Sequence, residues 1–98
     1  MKIIINNRGT GKAKQLLEAA AQAENSAILT QDKRALEVKA NSYGIKNVKI
    51  YDYEDLENDE INIYTNLYIH NADKFLEYLC DRYYGLKVGG FTATLENE

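Results

Sequence analysis

Residues 3–13 read Ile3-Ile4-Ile5-Asn6-Asn7-Arg8-Gly9-Thr10-Gly11-Lys12-Ala13. An apolar run, a glycine-containing loop and an Ala/Leu-rich stretch beyond it predict strand, loop and helix in that order. This is the setting of the phosphate-cradling pattern GxxxxGK[ST]. In that pattern, backbone N–H groups at the helix start curl around phosphate oxygens, and glycines allow the close approach. The lysine reaches the outer phosphates, and the hydroxyl after it ligates Mg²⁺. Here Gly11 and Lys12 fit, Asn6 stands where the first glycine belongs, and Ala13 replaces the hydroxyl residue. The stretch Asn7, Arg8, Gly9, Thr10, Gly11 and Lys12 therefore keeps the phosphate-holding part of the pattern and lacks a metal ligand.

The rest of the chain continues the alternation. Residues 2–5 are apolar on both faces, as in a buried parallel strand. A helix is predicted over 11–24, with Ala13, Leu16, Leu17, Ala20 and Ala21 on one face. A short strand over 26–30 follows, then a helix over 32–43 with Ala35, Leu36, Ala40 and Tyr43 on one side. Gly44 is placed to end it in the left-handed conformation. Residues 48–51 read as a third strand, and the acidic stretch after it as a loop or short helical turn. Residues 61–70 read as one strand or as a hairpin turning at Thr65-Asn66, with the main strand at 67–70. A helix over 73–83 carries Phe75, Leu76, Leu79, Cys80 and Tyr83 on one stripe and ends at Gly85. Residues 87–95 read as a last strand broken at Gly89-Gly90. Alternation of this kind implies an α/β fold with a mainly parallel sheet covered by helices.

Composition narrows the class. A chain of 98 residues is expected to form one domain over 1–98 with a modest core. With 45% hydrophobic and 28% charged residues it is globular. The net charge of −3 argues against general nucleic-acid binding. The N-terminal apolar run is too short for a signal peptide, and no run approaches membrane-spanning length. With a lone cysteine, Cys80, no intrachain disulfide can form. A cytoplasmic location is expected.

A second phosphate-site element would be a strand ending in a metal-binding Asp. The matching segment is Asn66-Leu67-Tyr68-Ile69-His70-Asn71-Ala72-Asp73, and His70 holds the Asp position. Asp73 reads either as an acid in the first turn of the next helix or as a weak metal candidate. On these residues the chain resembles the P-loop NTPase superfamily. More closely, it is similar to small phage-encoded proteins that begin strand, glycine-lysine loop, helix and carry an apolar strand before Asp-Asn-Ala-Asp. The resemblance implies a small three-layer sandwich of degenerate P-loop type. It carries phosphate binding over to Gly9, Gly11 and Lys12, with ATP or GTP as ligand. It does not carry Mg²⁺ binding over, because Ala13 and His70 occupy those positions, so hydrolysis is not expected.

Two further features bear on function. Asp52, Glu54, Asp55, Glu57, Asp59 and Glu60 form an acidic run without a base. It reads as a solvated loop or as a surface for a basic protein partner. The eight tyrosines read mainly as core, and any exposed beside acids would suit a protein interface. Cys80 falls on an apolar helix face and reads as an inert buried thiol. The first functional expectation is thus a non-catalytic phage-type protein that binds a protein partner; the resemblance suggests inhibition of a host defence system such as a CRISPR effector. The second is a nucleotide-binding protein with weak or no hydrolysis. A third, a nucleic-acid accessory protein using Arg8, Lys12 and Lys14, has three bases to support it.

Overall fold

The computed structural model describes residues 3–4, 11–58 and 60–94. Helix α1 (Lys12–Gln22) starts at Gly11, whose φ of +81° is open to glycine at little cost. Its Ala/Leu spacing buries Ala13, Leu17 and Ala20. Strand β1 (Ser26–Leu29) follows, and the Ser26 hydroxyl donates to the Ala20 carbonyl at 2.8 Å, satisfying one of the orphan acceptors at the helix end. Helix α2 (Lys33–Ser42) is capped by Asp32, which accepts from the Ala35 N–H at 3.1 Å. Strand β2 (Ile50–Tyr51) leads into two 3₁₀ turns, Glu54–Asn58 and Glu60–Ile63. Strand β3 (Asn66–Ile69) and helix α3 (Ala72–Tyr84) complete the regular structure. Gly85 closes α3 in the left-handed conformation and donates to the Asp81 carbonyl.

The three strands form one parallel sheet in the order β2-β1-β3. The chain thus passes from β2 back across β1 to reach β3. Register places Ile28 opposite both Ile50 and Tyr68, so these three side chains share a face. Against that face pack Ala13, Leu17 and Ala20 of α1 with Leu36 and Ala40 of α2. Ala27 and Leu29 alternate to the other face and are equally buried. A central strand covered on both faces is what an α/β domain with a parallel sheet requires.

The structure departs from the sequence expectations at the first and last expected strands and on α3. Residues 3–4 lie in no strand, and the remainder of the expected first strand falls outside the described residues. Residues 87–94 of the expected last strand are in no strand either. Gly89 and Gly90 lack side chains to pack, and the neighbouring Leu86 and Phe91 stay exposed. Residues 61–63 form a 3₁₀ turn rather than half of a hairpin. The apolar stripe of α3 is incompletely covered: it buries no side chain fully, Tyr83 is 63% exposed and Cys80 half-buried. On α2, Ala35 is exposed and Tyr43 is 40% exposed, so the buried face is narrower than the periodicity predicts.

Candidate functional site

The carboxyl ends of the strands build the site. His70 follows β3 directly, and its N–H donates to the Leu29 carbonyl at 2.9 Å, so the residue after β3 is fixed against the end of β1. Thr30, the residue after β1, is buried and its hydroxyl lies 3.0 Å from His70 Nδ1. Asn71 then takes a left-handed backbone, φ +56°, which turns the chain into α3.

Beside this turn lies the start of α1. Gly11, Lys12 and Ala13 line one cleft of about 390 Å³ together with Lys39, Tyr43, His70, Asn71, Asp73 and Lys74. The two segments that the sequence singles out, Gly11-Lys12 and the turn after Ile69, therefore meet in space. Carboxyl ends of parallel strands are where open α/β sheets hold ligands. Asn7, Arg8, Gly9 and Thr10 lie outside the described residues.

The described lining of the cleft carries more positive than negative charge. Lys12, Lys39 and Lys74 line it with Asp73 as the one carboxylate among the described lining residues, and the Lys74 ammonium also lies 3.7 Å from Glu77. The helix start adds N–H groups that have no intrahelical acceptor. His70 reports this field: burial, then Lys39, then Lys12 hold its imidazole below the usual 6.5, with Asp73 opposing. The fold therefore favours its neutral form.

The same inventory tests the magnesium site of the resembled family. Mg²⁺ demands oxygen ligands in octahedral geometry. Where the hydroxyl should stand, Ala13 is a buried methyl group packed into the core. Where the acid should stand, His70 is engaged with Thr30. Among the described residues, one carboxylate beside three lysines does not make a cation site, and Asp73 fits its role as an acid in the first turn of α3.

The acidic run is organised differently from a free surface. Asp52 and Asp55 bond reciprocally, each side chain accepting the other's N–H at 3.1 and 2.9 Å. Asp55 also lies 3.9 Å from Lys33. Glu57 accepts from Arg82 Nε and Nη2, at 3.1 and 2.8 Å, tying the turn to α3. Glu54 remains exposed, and Asp59 lies outside the described residues. Lys14 pairs with Glu18 at 3.9 Å and lies over the Tyr43 ring.

Three participants escape a reading of the sequence. Lys39, Lys74 and Thr30 belong to no motif and reach the site through the packing of α2, α3 and β1. Two general properties complete the inventory. No helix among the described residues is long and apolar enough to cross a membrane. Among the described residues no group of three or more His, Cys, Asp or Glu side chains could hold a metal ion. Compared with protein-family models, curated proteins and solved structures, the chain matches none.

Proposed function

We propose that this protein binds a phosphate-bearing ligand, a nucleotide such as ATP or GTP, in the cleft at the start of α1, in a degenerate P-loop manner and without metal-dependent turnover. The observation that carries this reading is the convergence of Gly11, Lys12, Lys39 and Lys74 beside Asn71 in one cleft. A polyphosphate needs N–H donors and several cations, and the cleft supplies both. Among the described residues it supplies no oxygen set for Mg²⁺. Calorimetric titration with inorganic triphosphate and with ATP, each in EDTA and in Mg²⁺, tests it. Binding that persists in EDTA supports the reading. Absence of binding by either probe contradicts it.

A second reading is favoured by a different observation. Tyr83, Tyr84, Leu86 and Phe91 are each 59% exposed or more, at the end of α3 and beyond. Such aromatic surface suits a protein interface. On this reading the chain is a non-catalytic protein that binds a protein partner, and the phage resemblance makes an inhibitor of a host defence protein its natural form. The acidic run supports it less, because Asp52, Asp55 and Glu57 are engaged within the chain. Co-purification of a host protein that is lost with Tyr84→Ser but kept with Lys12→Ala would favour this reading over the first.

A further inference from the structure

A second hollow, of about 510 Å³, meets the phosphate cleft at one residue. Lys74 lines both. Its ammonium lies 3.7 Å from Glu77, a lining residue of the second hollow. Burial raises the pKa of Tyr53, on the far side, and the charges of Asp73 and then Glu77 add to it. The first turns of α3 therefore stand between two adjoining spaces.

The second hollow has a chemistry unlike the first. Tyr53 and Tyr78 give it an aromatic wall, their ring centroids 4.8 Å apart. Gln31, Glu77 and Asp81 give it a polar rim with one amide and two carboxylates, beside the cations Lys74 and Lys87. Tyr53 is 7% exposed, and among the described residues its enclosed hydroxyl has no hydrogen-bond partner. An aromatic wall with carboxylate acceptors suits a flat ring that carries N–H donors.

We propose that this hollow receives the base of a purine nucleotide whose phosphates occupy the Gly11-Lys12 cleft. The proposal rests on the phosphate reading of that cleft. The purine ring lies against Tyr78, its N–H groups donate to Asp81 or Glu77, and a ring nitrogen accepts from Gln31. Lys74, the residue common to both spaces, turns its ammonium from Glu77 to the phosphate nearest the sugar.

Titration of inorganic triphosphate, ATP and GTP against the wild type, Tyr78→Ala and Asp81→Asn tests this. Stacking on one aromatic side chain makes at least one of the two purine nucleotides roughly tenfold or more tighter than triphosphate. Tyr78→Ala removes that gain and leaves triphosphate affinity unchanged. Asp81→Asn, on an exposed residue that leaves the core intact, reduces the gain for the preferred nucleotide. If neither nucleotide outbinds triphosphate, or if both variants keep the gain, the base site is wrong and the phosphate cleft stands. If triphosphate itself fails to bind, the cleft falls and the base site with it.

Discussion

Lys12→Ala separates the ligand role of this residue from any role in folding, because the two effects carry opposite signs. Lys12 is the first residue of α1, where the helix dipole disfavours a cation, and the first turn of α1 contains no acid to offset it. A charge so placed costs about 0.3–1 kcal/mol at a helix terminus. Alanine is also the better helix former. The variant should therefore be as stable as the wild type or slightly more stable in urea unfolding. Ligand affinity should move the other way. A charge-assisted contact to a phosphate oxygen is worth roughly 1.5–3 kcal/mol, or about tenfold to a hundredfold in Kd. Calorimetric titration of triphosphate measures the second quantity. Unchanged affinity with intact folding would refute the placement of phosphate beside Lys12. A clear loss of stability would refute the account of α1's start.

Three further outcomes follow from the fold and from His70. Leu17 is fully buried in the α1–α2–sheet cluster, so Leu17→Ala should cost about 2–5 kcal/mol, a large part of the roughly 5–15 kcal/mol that holds a domain together. A loss below about 1 kcal/mol in urea unfolding would contradict this packing. Asp32→Ala removes the α2 cap and should cost about 1 kcal/mol, with Asp32→Asn largely sparing it. Because His70 titrates below its unfolded value of 6.5, the fold favours its neutral form. Its contribution to stability is complete above about pH 6.5 and is lost as pH falls from there through the folded value. Comparing wild type with His70→Gln across this window isolates the effect, and identical pH dependence in the two would contradict it.

The helices were legible because their apolar spacing is a local property. Ala13, Leu17 and Ala20, and likewise Leu36 and Ala40, lie three or four residues apart and are buried together. Gly44 and Gly85 both take the positive φ that their positions predict. The central strand was legible as a short apolar run. The C-terminal segment misled: residues 87–95 read as a strand broken at Gly89-Gly90, but pairing depends on a partner edge, which the local sequence does not encode. α3 misled for a related reason. Its stripe is apolar, yet whether a stripe is covered depends on what lies opposite.

The site was half legible. Gly11, Lys12 and the turn at His70-Asn71 carry a local pattern, and the structure joins them in one cleft. Lys39 and Lys74 were not legible, since a lysine on an exposed helix face looks like any solvated charge until the fold aims it. The internal partners of the acidic run were likewise not legible. Its charges look unpartnered in the sequence, but Lys33 and Arg82 reach them from 22 and 25 positions away respectively.

His70, the sole histidine in the chain, gives the most direct test of the central claim. Its imidazole lies in the cleft, lowered by burial and by Lys39 and Lys12. Its ring proton can be followed by NMR across a pH titration, with and without saturating triphosphate. A phosphate seated among those lysines screens their charge and adds its own, so it stabilises the imidazolium. The account predicts a free pKa below 6.5 that rises when triphosphate binds. Saturable triphosphate binding that leaves the His70 titration unmoved would place the ligand elsewhere and contradict it.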